Sequence, residues 1–363
     1  MREISAQEIV SHRLARNGLS VPFSQPLECV HALAGIQSQF QQWAEVSIRN
    51  RSAAGLTMHD LAAFYQGHDI LNLWGRRHTL HMYAKKDWDT VSHLYEPVIS
   101  GKSRASTRFP DDFDYLMKKI AAECSGKHTI GKADLLAIVE ERMAGRRTEN
   151  DYFDYSLIAL CCLRGIFCGI PEKPGLKTFA GRKRVALKPW KANEKHSRAA
   201  LESYMLRYFQ YYGPATLADF SHWSGLPQGT ARQGLLSVSE KLETYVSGGR
   251  EYFSHGQAAE PDAGEVFLLG KFDPLFVSYK HKDWIIPAEL QKRVWRSAGW
   301  VEAVVLDRGL AMGTWRHSLK GKKISFEVSQ FTTIKAASRK KVKAEAEKLA
   351  DFWEKQLASV TFA

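Results

Sequence analysis

Residues 213–254 read GPATLADFSHWSGLPQGTARQGLLSVSEKLETYVSGGREYFS, and the order of signals in that stretch decides the fold. Thr216, followed three residues later by Asp219, is a capping box that opens a helix. Leu217, Phe220 and Trp223 then recur at helical spacing. Gly225 suits the cap that ends this helix, and Pro227 suits the first position of the next. The second helix places Gln228, Arg232 and Gln233 where a recognition helix carries polar groups. Two β-prone runs, KLETYV and REYFSH, follow, joined by Ser247-Gly248-Gly249. Helix, turn, helix and hairpin together describe a winged helix. The same unit also serves as plain packing in enzymes, so it does not by itself assign a function.

Two earlier stretches repeat the pattern. LTMHDLAAFYQG carries Asp60 and HTIGKADLLAIVEERM carries Asp134, each an acid in the first helical turn before an apolar stripe. Behind the first comes the alternating run ILNLWGRRHTLHMYAKKDW. Behind the second come LIALCCLRGIF and then GLKTFAGRKRVALKPW, a wing whose basic tip is expected at Arg182, Lys183 and Arg184. From about residue 263 the texture changes to alternating strands, including a hairpin turn at Asp307-Arg308-Gly309, and ends in the amphipathic KKVKAEAEKLADFWEKQL with its solvated lysine face. The expected class is α+β: three tandem winged-helix modules, residues 1–112, 113–192 and 193–262, followed by a C-terminal antiparallel β-barrel with a closing terminal helix, residues 263–363.

Composition narrows the partners. The chain has 363 residues, with 44% hydrophobic and 25% charged residues, the profile of a globular protein of several modules. A net charge of +12 points to a polyanion, nucleic acid ahead of an acidic membrane surface. The N-terminus opens with a capping box, Ser5 and Glu8, rather than a signal peptide. The apolar run YSLIALCCLRGIFCGI is interrupted by Arg164 and is too short to span a bilayer. Five cysteines without a CxxC pair argue for buried, reduced thiols and against a disulfide framework or zinc site. The expectation is a cytoplasmic, nucleoid-associated monomer that binds double-stranded DNA, needs no metal or other cofactor, and has no membrane partner.

Five stretches carry a resemblance. AGIQSQFQQWAEVSIRNRS, NLWGRRHTLHMYAKKDW, YYGPATLADFSHWSGLP, FDPLFVSYKHKDWIIP and VVLDRGLAMGTWR together resemble the bacterial winged-helix family that includes the AlkZ and AlkX (YcaQ) DNA glycosylases. That resemblance implies three winged helices and a β-barrel, action on alkylated bases and interstrand crosslinks, and a catalytic signature of Gln-x-Gln in the AlkZ type or Gln-x-Asp in the AlkX type. Gln37-Ser38-Gln39 matches the Gln-x-Gln form. There is one departure. Relatives usually read Arg-Gly-Thr-Leu-His in the first-module strand, where this chain has Arg77-His78-Thr79-Leu80-His81.

A pair of amides suits one kind of chemistry. Glutamine cannot take up a proton near neutral pH, so it orients and polarises rather than acting as a base. N7-alkylation leaves a cationic purine that departs readily, and an oxocarbenium-like sugar that a held water attacks. Amide oxygens can hold that water and set negative dipole against the cation. Residues two apart share a side only on extended backbone, so 36–39 must be extended, with Gly35 ending the preceding helix. Candidate backbone-phosphate contacts are Arg49, Arg51, Arg76, Arg77, His78, His81 and the Arg182–Arg184 run. The loop Lys280, His281, Lys282 and the hairpin expected near Arg316 and His317 could probe the duplex, while Trp284 serves either that loop or the core. His78 and His81, three apart on a strand, point to opposite faces and do not suit chelation. A non-enzymatic winged-helix DNA-binding protein or transcription regulator is the alternative reading.

Overall fold

The computed structural model describes residues 2–127, 129–146, 153–171, 178–188, 190–256 and 265–363. Two compact units divide them, one built from residues 1–37, 42–63 and 205–363, the other from 38–41 and 64–204.

In the first unit the decisive stretch folds in the expected order. Thr216 Oγ1 accepts from the Asp219 N–H (3.1 Å) and the Asp219 carboxylate accepts from the Thr216 N–H (2.9 Å), closing the capping box of helix Leu217–Ser224. Gly225 ends that helix at φ 68°, a left-handed conformation open to glycine. Helix Gln228–Val238 follows, then strands Glu243–Ser247 and Arg250–Ser254 pair antiparallel. The N-terminal strand Arg2–Glu3 joins Glu243–Ser247 in parallel. An aromatic cluster fills the centre, with the Tyr208 and Trp223 rings 4.7 Å apart.

The same unit holds a five-stranded sheet in the order Val266–Leu269, Val304–Asp307, Leu310–Lys320, Lys323–Gln330, Gln356–Phe362. The turn at Arg308-Gly309 lies where the sequence places it. The sheet is open, which corrects the expected barrel. Its last strand pairs parallel to its neighbour, and helix Ala336–Phe352 packs against both outermost strands, which would have to meet for closure. The closing helix is also shorter than its amphipathic pattern, because Gln356 and Leu357 belong to the final strand.

The second unit carries five antiparallel strands in the order Leu80–Ala84, Ile70–Trp74, Phe167–Gly169, Thr178–Gly181, Thr129–Gly131. The hairpins expected in the first two modules therefore share one sheet. Helix Phe153–Leu163 is buried along nearly its whole length, which accounts for its apolar composition all round. Burial pushes the Cys161 and Cys162 thiols up, so they stay protonated. Residues 175–177 of the expected second wing, and the 262/263 module boundary, lie outside the described residues.

Arg51, expected on the DNA, sits in the core. It is 0% exposed. Its guanidinium donates to both Asp273 oxygens (2.6 and 2.8 Å), twice to Asn17 Oδ1 (2.8 and 3.0 Å) and to the Ser47 carbonyl (3.1 Å). Asp273 also accepts from the Leu275 N–H and the Ser47 hydroxyl. Removing one partner of such a pair strands the other charge in the interior. Arg51→Met is therefore expected to lower unfolding free energy by about 3–5 kcal/mol in a urea titration, and a loss under about 1 kcal/mol would contradict this assignment.

Candidate active site

Helix Pro26–Ala32 gives way to a reversal in which Ala34 (φ 52°) and Gly35 (φ 94°) both occupy the left-handed region. Ile36–Gln37 is then a short strand, and helix Gln41–Arg49 begins four residues after Gln37. Along this bridge Ile36 (1% exposed) and Ser38 (3%) are buried, Gln37 is half-buried and Gln39 is exposed. This alternation leaves both glutamines on the open side of the backbone. The chain passes from one compact unit to the other at the 37–38 bond. Within the second unit, the Ser38 N–H donates to the Leu80 carbonyl (2.8 Å) and its hydroxyl donates to Asn72 Oδ1 (2.9 Å). Gln41 Nε2 donates to the Pro171 carbonyl (2.7 Å).

The strand-to-strand turn Arg76–His78 is tight. Arg77 (φ 51°) and His78 (φ 59°) are both left-handed, a conformation that glycine adopts without strain and that costs a side chain such as histidine. The Tyr155 hydroxyl donates to the His78 carbonyl. Arg76 is buried, and burial beside it pushes the Arg77 guanidinium down to about 10. His81 is 1% exposed, so it does not reach a phosphate. Its Nδ1–H donates to the Thr79 carbonyl (2.9 Å), which fixes the tautomer. Burial, then the Arg76 charge, hold its pKa well below the ordinary histidine value.

Most of the other expected DNA contacts have partners of their own. Arg49 pairs with Glu345 (3.2 Å) and lines a cavity of about 430 Å³ whose carboxylates, Glu265, Glu345 and Asp351, do not suit a phosphate. Arg182–Arg184 form a one-turn helix after strand Thr178–Gly181, at the base of that hairpin rather than its tip, because Gly181 just before them pairs with Phe167, the first residue of the partner strand. Arg184 donates to His68 Nε2 (3.2 Å), while Lys183 is exposed and Arg182 half-buried. Lys280 is exposed, and the Lys280 and His281 N–H groups donate to the buried Asp219. Lys282 stacks on Trp295 at 4.2 Å. Trp284 packs against the buried Arg13 guanidinium at 4.5 Å, beside Tyr279 at 4.0 Å, so it serves the core. Arg316 and His317 lie inside strand Leu310–Lys320, not at a hairpin tip. Arg316 Nη2 donates to both Glu327 carboxylate oxygens (2.7 and 2.8 Å), and His317 packs on Trp353 (4.8 Å) and Trp43 (5.6 Å).

Set against known proteins, residues 30–352 match the family model for AlkZ-like DNA glycosylases. The chain belongs to that family. An interstrand DNA cross-link repair glycosylase of Streptomyces sahachiroi is 25% identical over 334 residues, 86% of this chain and 87% of the relative. The solved structure of the DNA glycosylase AlkZ of Streptomyces sahachiroi superposes with a TM-score of 0.80 at 20% identity, covering 99% of this chain and 100% of that one. The AlkZ-like chain thus shares that fold.

Sequence reasoning passed over the contacts of Ser38, although a hydroxyl between two amides was its visible signal. It also passed over the indole and imidazole cluster of Trp43, Trp315, His317 and Trp353, which no spacing rule links. Among the described residues no helix is long and apolar enough to cross a membrane.

His81 gives a pH signature. With its folded-state pKa depressed, the unfolded state binds the extra proton, so stability falls as pH drops below the unfolded value of about 6.5. His81→Gln is expected to flatten the stability-versus-pH slope of the wild type between about pH 6.5 and 5, by up to about 1.4 kcal/mol per pH unit. Parallel curves for the two proteins in denaturant titrations would rule out a buried neutral imidazole.

Proposed function

We propose that this AlkZ-like glycosylase hydrolyses the N-glycosidic bond of cationic alkylpurines in duplex DNA, N7-alkylguanine and N3-alkyladenine, with water as nucleophile. The observation that carries this reading is the backbone at Ile36–Gln39, which is extended at Ile36–Gln37 and leaves Gln37 and Gln39 on its less buried side. Gln37 and Gln39 hold the water and direct their amide oxygens at the sugar as its positive charge develops. Neither supplies a base, so the reaction relies on the leaving group already carrying charge. Uncharged bases are poor substrates on this chemistry, because they need the proton transfer that a carboxylate or imidazole provides.

The Streptomyces sahachiroi relative is named for interstrand cross-link repair, and we extend that scope to this chain. Crosslinked bases cannot swing freely out of the duplex as in ordinary base extrusion, so they need an open surface rather than an enclosed pocket. We read the 1–112, 113–192 and 193–262 segments as winged-helix modules that bring a cytoplasmic monomer to DNA. We keep the exposed Lys183 and Lys280 and the half-buried Arg182 as candidates for phosphate contacts; none has an acidic partner among the described residues. The regulator alternative has no observation in its favour beyond the helix-turn-helix itself.

The test is a duplex carrying a single 7-methylguanine, with abasic sites scored by strand cleavage. The wild type is expected to release the base, and Gln37→Ala and Gln39→Ala to slow single-turnover release at least about 100-fold, the loss typical of one oriented dipole, while still binding the duplex. Borohydride should trap no covalent complex, because water rather than an amine attacks. Wild-type inactivity on cationic lesions, or a trapped adduct, would overturn the reading.

A further inference from the structure

We infer that Ser38 is a positioning residue, whose hydroxyl, donated to Asn72, fixes the direction in which the chain presents its two flanking glutamines. This rests on the reading of Gln37 and Gln39 above. Ser38 and Asn72 are each 3% exposed, and the Oγ–Oδ1 distance is 2.9 Å. Asn72 is well held, because it sits in strand Ile70–Trp74 with Met82 opposite on one side and Gly169 on the other. Ser38 is therefore tied at two points, its N–H to Leu80 and its hydroxyl to Asn72.

Two points define a direction where one defines only a pivot. Ser38 is buried while Gln37 is half-buried and Gln39 exposed, so the tie that turns Ser38 inward leaves the residues on either side of it facing outward. Gln39 depends on this most. It lies in a bend beyond the short strand, is exposed, and has no hydrogen-bond partner of its own among the described residues. Its aim is set by the backbone, and Ser38 sets the backbone. A buried hydroxyl–amide pair is an expensive way to fill space, since either group left unsatisfied costs about 1–3 kcal/mol, and an apolar pair of similar shape carries no such risk. What the polar pair adds is a fixed angle, which matters for a water that must be placed within a fraction of an ångström.

The experiment compares Ser38→Ala, Ser38→Thr, Asn72→Ala and the Ser38→Ala/Asn72→Ala double variant, measuring single-turnover release of 7-methylguanine, duplex Kd and thermal midpoint. Ser38→Ala is expected to slow base release by about 10- to 100-fold with Kd within about twofold of the wild type. Ser38→Thr, which keeps the hydroxyl, should recover most of the rate. The double variant should be no slower than the worse single one, because both remove the same bond. A Ser38→Ala rate equal to the wild type, losses that multiply, or a defect confined to Kd would each overturn the inference. If Ser38→Ala does not fold, the Asn72→Ala and Ser38→Thr rates decide in the same way. Failure here is separable from failure of the glycosylase reading, which instead shows as an inactive wild type or as Gln37→Ala and Gln39→Ala variants of undiminished rate.

Discussion

The buried Arg51–Asp273 pair is the constraint on which the first unit is organised. One guanidinium is shared among the end of the N-terminal helix (Asn17), the helix after the glutamines (Ser47) and the segment leaving the first strand of the C-terminal sheet (Asp273). Two opposite charges in the interior are tolerable only with their hydrogen-bonding capacity filled, and here it is nearly filled. Three segments far apart in sequence must therefore take one mutual arrangement before the pair is satisfied. The helix that follows Gln37 and Gln39 inherits its placement from that requirement.

The same accounting changes the meaning of a +12 chain. Arg13 lies between aromatic rings, and Arg16 donates to three backbone carbonyls. Arg51 and Arg76 are buried. Arginine is well fitted to such roles, because its planar fork satisfies several acceptors at once and stacks on rings. Lysine, with its compact and strongly hydrated head, is buried at none of the described positions. Net charge read from composition thus pointed to DNA as the class of partner, while several of the residues it nominated, Arg51, Arg76, Arg49 and Arg316 among them, are buried or paired.

Local signals were the legible part of this sequence. The Thr216–Asp219 box, the glycine at 225, the Gly248-Gly249 turn and the Arg308-Gly309 turn each involve residues within a few positions of one another, and each lies where its chemistry places it. Of the link expected to be extended over 36–39, the strand Ile36–Gln37 after Gly35 was legible for the same reason, and the bend at Gln39 was not. What escaped depends on distant partners. The sheet was expected to close because alternation shows that strands exist and not how their edges end. The basic run at 182–184 was placed at a tip because a short loop and the start of a one-turn helix look alike when both are rich in Arg and Lys. Arg316 and Arg49 looked available because Glu327 and Glu345, which neutralise them, are 11 and 296 positions away.

Chain threading has a consequence for biosynthesis. The second unit is complete once Tyr204 has been made, and all but four of its residues form the single stretch 64–204. The first unit is different, since the guanidinium of Arg16 meets its carbonyl acceptors only 194 to 240 residues later. As the polypeptide leaves the ribosome from its N-terminus, helix Ala6–Arg16 must wait, with its apolar face uncovered, until Gly256 of the 363 residues has been made. Vectorial synthesis therefore finishes last the unit that holds Gln37, although its first residues emerge first.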